Sequence, residues 1–209
     1  MKKIVIIGKG GFAKEVKWLI DSINRVEKEW EFLGYIDKEK GAEEVISDDS
    51  YIINTEENLF VTLAIGNPIL RKNIYEKYKE NKHLHFPNLI APSVYVSDSI
   101  QLGEGNIICS STIMTVDILI GNFNIINLDC TIGHDVKIGN FNTINPGSNI
   151  SGNVILKDLI EVGTGSKIIQ GKEINKGVVI GAGAVVIKDV PCDTTVVGVP
   201  AIAVKKKDR

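Results

Sequence analysis

Between Ile90 and Val186 every sixth residue is a large aliphatic side chain or methionine. The positions are Ile90, Val96, Leu102, Ile108, Met114, Ile120, Ile126, Ile132, Ile138, Ile144, Ile150, Leu156, Val162, Ile168, Ile174, Ile180 and Val186. Apolar residues fill about half of an ordinary chain, so an unbroken run of this length is a rule of construction. An α-helix would set sixth neighbours about 240° apart, on different faces. A plain strand alternates with period two. A period of six punctuated by Gly and Asn belongs to a hexapeptide β-helix. There each hexad makes a short strand and a corner, and three hexads close a triangular coil with the aliphatic residue inside. Gly follows the ladder residue at Gly103, Gly121, Gly133, Gly139, Gly163 and Gly181. Gly, Asn and Asp are expected to accommodate the corners. One hexad cannot bury its own apolar residue, so stability should be cooperative along the stack. A solenoid that serves only as spacer or binding surface carries the same repeat.

The first ninety residues read differently. Lys3–Ile7 has the pattern of a buried parallel strand. Gly8-Lys9-Gly10-Gly11-Phe12-Ala13 follows, then a helix with Val16, Leu19, Ile20 and Ile23 on one face. A strand, a glycine turn and a helix start place backbone N–H groups where they can meet a phosphate. Gly8-x-Gly10-x-x-Ala13 fits the dinucleotide fingerprint, and Asp37 follows a second strand at Phe32–Ile36. Only one βαβ half fits before the ladder, however, which suits a mononucleotide or a nucleotide-sugar. A turn that merely packs helix on sheet is the plainer alternative. Residues 38–58 are acidic and polar, broken by Tyr51-Ile52-Ile53, and should hold a short third strand and loops. Phe60–Ile65 reads as another buried strand. Pro68 suits the first turn of a helix to about Lys82, and Leu84 and Phe86 suggest a short strand into the solenoid. Gly8 to Phe12, Asp37-Lys38 and Gly66-Asn67 all fall at strand carboxyl ends, where doubly wound sheets bind ligands.

The net charge of −2 over 209 residues offers no basic footprint for nucleic acid. Lys205-Lys206-Lys207 reads as a solvated tail. No apolar run reaches signal-peptide or membrane-span length, so a cytoplasmic protein is expected. Cys109, Cys130 and Cys192 are odd in number and unclustered, which argues against a disulfide framework or a zinc site. The ladder contains a single histidine, His134, two residues after inward-pointing Ile132. It should face outward, where an imidazole can act as a general base. Asp135 is adjacent and can orient the ring. A surface histidine without function is the plainer reading. Cys130 could in principle carry an acyl group, but its place in the hexad is an inward or packed one.

From its opening Gly8-x-Gly10-Gly11-Phe12-Ala13-Lys14-Glu15 onward the chain resembles the bacterial sugar N- and O-acetyltransferases. The likeness continues through Gly34-Tyr35-Ile36-Asp37, Ala64-Ile65-Gly66-Asn67, Ile132-Gly133-His134-Asp135, Pro146-Gly147, Ser151-Gly152-Asn153-Val154, Gly181-Ala182-Gly183-Ala184 and Val197-Gly198-Val199-Pro200-Ala201. It covers nearly the whole chain. The resemblance implies an α/β domain followed by a β-solenoid. A small Rossmann-like βαβ nucleotide-sugar domain would occupy residues 1–87, and a left-handed parallel β-helix with its tail residues 88–209. It implies acetyl-CoA as cosubstrate, no metal, and a nucleotide-linked amino sugar of the bacillosamine or perosamine type as acceptor, carried on UDP, dTDP or GDP. It implies a homotrimer with active sites between subunits. By the same resemblance His134 would deprotonate the amine with Asp135 as partner. Asn127 would help place His134 or the reacting groups, and the Gly152 N–H would receive the oxyanion. Thr143, Gly152, Thr164 and Ala182 would contact acetyl-CoA. Gly10, Gly11, Phe12, Asp37, Lys38 and Gly66 would hold the nucleotide-sugar. The family often has His in place of Phe12 and an acid in place of Lys38. O-acetylation of a sialic acid and non-catalytic nucleotide-sugar binding are the competing readings. A metal-dependent hydratase on this repeat would need three histidines around one metal, and the ladder has one.

Overall fold

The computed structural model describes residues 1–38 and 44–204; the Lys205-Lys206-Lys207 run lies outside them. The chain opens with parallel strands β1 (Lys2–Ile7), β2 (Trp30–Ile36), β3 (Val45–Ser47), β4 (Leu59–Leu63) and β5 (Leu84–His85), ordered β3-β2-β1-β4-β5. β1 sits centrally and is buried from Ile4 to Ile7, as its β-branched run requires. Helix α1 (Gly11–Val26) buries Val16, Leu19 and Ile20 of the stripe read from the sequence, together with Ala13, and leaves Ile23 partly buried. Helix α3 (Pro68–Tyr78) starts with Pro68 in its first turn, and Asn67 Oδ1 accepts the Leu70 N–H at 2.9 Å, which satisfies an otherwise orphaned donor.

Two local expectations change. Tyr51-Ile52-Ile53 lies in a short helix, α2 (Asp49–Ile53), and the third strand is Val45–Ser47. Asp48 starts that helix by accepting the Ser50 N–H at 3.1 Å, and Ile52 is its buried residue. Helix α3 stops at Tyr78, short of Lys82. Asn81 turns the chain there, donating to the carbonyls of Ile52 and Thr55 at 3.1 and 3.2 Å.

From Leu89 onward the hexad pattern becomes the fold. Every strand from β6 (Leu89–Ile90) to β22 (Val185–Val186) is two residues long and ends on a ladder residue. Each pairs in parallel with a strand one coil away, as Ile107 with Ile125 and Ile125 with Thr143. Three sheets result, the faces of a left-handed prism. The ladder residues from Ile108 to Val186 are nearly all sealed inside. Val96, on the first coil, remains 42% exposed because nothing stacks on that side of it. The residue two before most ladder positions also faces inward. On one face these are Asn106, Asn124 and Asn142, whose amides hydrogen-bond up the stack. Asn124 Nδ2 reaches Asn106 Oδ1 at 3.1 Å and the Gly139 carbonyl at 2.8 Å. Antiparallel strands β23 (Thr195–Val197) and β24 (Ile202–Val204) close the far end.

The glycines after the ladder residues do not serve the corner conformation expected of them. The left-handed backbone falls two residues later, at Ser111, Asp117, Phe123, Asp129, Asp135, Phe141, Asn153 and Leu159 and at Gly147, Gly165, Gly171, Gly177 and Gly183. Gly133, Gly139 and Gly163 are needed for a different reason: the next coil passes too close for a side chain. A Cβ on Gly163 would sit 2.5 Å from the Ala182 nitrogen and 2.6 Å from the Ile180 carbonyl oxygen, both rigid backbone.

The outward side chains on one face are Leu89, Ile107, Ile125 and Thr143, all buried. Helix α1 and the first sheet cover them: Leu89, Ile107 and Ile125 share a core with Val16, Leu19 and Ile20. Phe123 and Phe141, at a left-handed corner, stack with centroids 5.1 Å apart and 7° between planes, and Tyr75 and Phe86 close over them. Their burial offsets a backbone conformation that costs about 1–2 kcal/mol per residue. Among the described residues no helix is long and apolar enough to cross a membrane.

Close approach and backbone handedness predict different costs. Gly163→Ala should destabilise the protein by about 3 kcal/mol, the upper range for overpacking. Gly171→Ala, with open space around its Cβ but φ of +71°, should lose about 1 kcal/mol. Denaturant midpoints of the two variants test the ranking, and equal losses would contradict it.

Candidate active site

Two regions gather most of the residues singled out in the sequence. The first is the carboxyl edge of the opening sheet. β1 lies between β2 and β4, so the chain leaves it in opposite directions and a crevice opens beyond β1 and β4. Gly8 turns with φ +98° under the Ala64 carbonyl. Gly10 caps α1 without a side-chain hydrogen bond, so the first N–H groups of that helix are open to an anion. A Cβ on Gly10, Gly11 or Gly66 would meet nothing within 4 Å; all three border open space. Phe12 is half-buried against the α1 core, Asp37 is half-buried with its N–H on the Ser47 carbonyl, and Lys38 is exposed. The three strand-end loops therefore converge on one edge, as their sequence positions implied.

Behind that edge lies a residue that the sequence reading missed. Arg71, on α3, is 1% exposed. Its Nε donates to the Phe123 carbonyl at 2.9 Å and its Nη2 to the Asn142 carbonyl at 2.9 Å. Its Nη1 reaches the carbonyls of Ile65 at 2.5 Å and Gly66 at 3.1 Å and the Thr143 hydroxyl at 3.0 Å. Thr143 in turn donates to the Gly66 carbonyl at 2.6 Å. Burial pushes the guanidinium down to about 9, still above neutral pH, so Arg71 stays charged. The only signal in the sequence was a lone Arg in the middle of a helix, on a face that otherwise buries Pro68 and Tyr78.

The second region is the prism corner at His134. The ring is exposed, as expected, and its Nδ1 lies 2.7 Å from Asp135 Oδ2. A carboxylate can only accept, so Nδ1 carries a proton, and in the neutral imidazole that leaves Nε2 with the lone pair. Asp135 reaches back because its backbone is left-handed, φ +59°. Gly152 sits one coil further along, directly under the ring. A Cβ there would overlap Nε2 and lie 2.5 Å from Cε1. The Gly152 N–H makes no hydrogen bond among the described residues. A proton acceptor and a free backbone donor thus stand side by side.

The remaining expected residues divide. Asn127, Thr164 and Ala182 lie on a different edge of the prism from His134. Asn127 is nearly buried, its Oδ1 accepts the Leu128 N–H at 2.8 Å, and it makes no hydrogen bond with His134. Thr164 and Ala182 are exposed on successive coils. Thr143 does not join that groove. It is 3% exposed and held by Arg71 and the Gly66 carbonyl, because the opening domain covers this part of its face. Cys130 points into the prism, with burial lifting its thiol to about 11 and that of Cys109 to about 12, so Cys130 is ill suited as a nucleophile. No cluster among the described residues could hold a metal ion.

A family profile described as the PglD N-terminal domain matches residues 3–78. Solved structures match over essentially the full length. The acetyltransferase domain of PglB from Neisseria gonorrhoeae FA1090 is 28% identical over 98% of this chain and 100% of that one, with a TM-score of 0.89. It has also been solved with acetyl coenzyme A. PerB from Caulobacter crescentus, solved with CoA and GDP-perosamine, is 30% identical over 98% of both chains, with a TM-score of 0.88. WeeI from Acinetobacter baumannii AYE is 30% identical over 98% of this chain and 100% of its own, with a TM-score of 0.87. No curated protein gives a significant sequence match.

The contact between ring and peptide predicts that Gly152→Ala folds but expels His134 from its place. A crystal structure of the variant should show Nδ1 more than about 3.5 Å from Asp135, beyond hydrogen-bond range. An unmoved ring would refute the packing argument.

Proposed function

This chain belongs to the bacterial nucleotide-sugar N-acetyltransferases of the hexapeptide-repeat family, and on that premise we propose direct acetyl transfer to a 4-amino-deoxysugar carried on UDP, dTDP or GDP, with His134 as general base. It is an acetyl-CoA-dependent sugar N-acetyltransferase. The observation that carries the mechanism is the His134–Asp135 pair poised over Gly152.

The chemistry follows from that corner. The sugar amine, as free base, presents its nitrogen lone pair to the thioester carbonyl carbon. A C–N bond forms and the carbonyl oxygen gathers negative charge beside the Gly152 N–H, a donor fixed by the coil. His134 Nε2 takes the proton that the amine nitrogen loses. The C–S bond breaks, and CoA leaves as thiolate, to which the imidazolium can return the proton. Asp135 holds the ring so that Nε2 faces the reacting atoms. A rigid coil supplies orientation before substrate arrives, which can contribute several powers of ten in rate. In the opening domain, residues 1–87, Gly10, Gly11, Phe12, Asp37, Lys38 and Gly66 would hold the nucleotide-sugar. The solenoid, residues 88–209, would hold acetyl-CoA along Gly152, Thr164 and Ala182.

His134 and Gly152 lie on one edge of the prism, and Asn127, Thr164 and Ala182 on another. A single chain cannot bring these edges together. A homotrimer would do so by setting one subunit's His134 edge against the next subunit's Thr164 edge. Full activity in a species that sediments as a monomer would refute that assembly.

Thiol release from acetyl-CoA tests the reaction. UDP-, dTDP- and GDP-linked amino sugars are offered in turn, with free sialic acid as the O-acetylation control. One nucleotide-linked amine should support turnover. His134→Ala should lower kcat by about 10²- to 10⁴-fold, the usual worth of general-base catalysis, with nucleotide-sugar binding retained. Release with sialic acid alone would overturn the proposal. Retained binding without release from any amine would point to a binding protein.

A further inference from the structure

The crevice of the opening domain is backed by an unusual charge. Arg71 is buried between that domain and the prism, and among the described residues no carboxylate shares its charge. Its partners are carbonyls and one hydroxyl. Two of those carbonyls are consecutive, Ile65 and Gly66, in the loop that leaves β4 for the crevice. In a trans peptide the C=O and N–H point in opposite directions. Turning the Ile65 and Gly66 carbonyls onto the guanidinium therefore turns the N–H groups of Gly66 and Asn67 away from it. Among the described residues neither N–H has a hydrogen-bond acceptor. Open space surrounds the Cβ position of Gly66. Thr143 completes the arrangement by donating to the Gly66 carbonyl while accepting from Arg71.

We propose that Arg71 and Thr143 are positioning residues for substrate phosphate. They fix the Gly66 loop with its N–H groups of residues 66 and 67 facing the crevice, where they receive the diphosphate of the nucleotide-linked substrate opposite the start of α1. The buried guanidinium lies one peptide behind those donors, so its field adds to theirs, and the arriving diphosphate supplies the negative charge that the protein omits. Thr143 belongs to the prism, so this loop is set by the domain that carries out the chemistry. This inference rests on the nucleotide-sugar reading above and extends it to two residues that do not touch substrate.

Thr143→Val tests it, because valine keeps the shape and removes the hydroxyl. Thr143→Ser is the conservative control. Calorimetric titrations use UDP, dTDP and GDP, the matching nucleosides, and CoA. For the nucleoside diphosphate that the parent protein binds, Thr143→Val should weaken affinity about tenfold, the loss expected for a hydrogen bond supporting a charged ligand. Affinities for the nucleoside and for CoA should stay within about twofold, and Thr143→Ser should restore diphosphate binding. The KM for the nucleotide-sugar should rise by the same factor, with the KM for acetyl-CoA unchanged. A Thr143→Val protein that binds the diphosphate as the parent does, or that loses nucleoside or CoA affinity equally, would overturn the positioning role while leaving the acetyl transfer reading intact. A parent protein that binds none of the three diphosphates and releases no thiol would sink both.

Discussion

The prism hangs on parallel pairing of strands in an eighteen-residue register, with N–H groups reaching carbonyls seventeen residues on. Each coil is hydrogen-bonded to the next, as in Gly133 N–H to the Ile150 carbonyl at 2.8 Å and Ser151 N–H to the Ile168 carbonyl at 3.0 Å. Parallel pairing sets neighbouring strands at about 4.8 Å, and that spacing continues around the corners. It leaves no room for a Cβ at Gly133, Gly139 or Gly163, and it lays the His134 ring against Gly152. The same constraint that builds the scaffold therefore places an imidazole beside a backbone donor. No loop has to close for these two groups to meet.

Because the inward rows saturate the interior, the outward residues are free to differ from face to face. One face offers Leu89, Ile107, Ile125 and Thr143 and is covered by the opening domain. Another begins with exposed Tyr95 and Ile113 and then turns polar at Thr131, Asn149 and Lys167, linked in part by Asn149 Nδ2 to Thr131 Oγ1 at 2.8 Å. That change of character falls on the His134 coil. Corner residues differ as well. The corner with Phe123, Phe141 and Leu159 packs against Tyr75 and Phe86, whereas the corner with Asp135 and Asn153 faces solvent.

How much of this was legible follows from the period used to read it. A period of six finds the ladder, the strands and the outward place of His134. The covered face becomes visible at a period of eighteen, because Leu89, Ile107 and Ile125 are apolar where Gln101, Lys137 and Lys167 are not. Thr143 sits in that covered column, which is why its side chain serves the contact between domains. The glycines were found but misread, since sequence cannot separate a residue that must turn left-handed from one that must stay small. Arg71 was invisible for a physical reason. A charged residue on a helix is ordinarily a solvent-facing one, and only the three-dimensional convergence of Ile65, Gly66, Phe123, Asn142 and Thr143 makes a buried guanidinium tenable.

Burying an unpaired cation is costly unless its polar groups find partners, and each of the three Arg71 side-chain nitrogens donates to an acceptor, drawn from both domains. An apolar replacement would relieve the desolvation but orphan the Phe123 carbonyl, leave Asn142's with only the Ile125 N–H, and release the Gly66 loop. The residue is thus better explained by what it orients than by net stability. The aromatic corner and the α1 interface already hold the domains together through apolar contact, which is indifferent to small rotations. Directional hydrogen bonds from one rigid fork are not. They fix the angle at which the crevice of the opening domain meets the prism, and on the proposed reading an amine delivered to His134 needs that angle more than it needs additional binding strength.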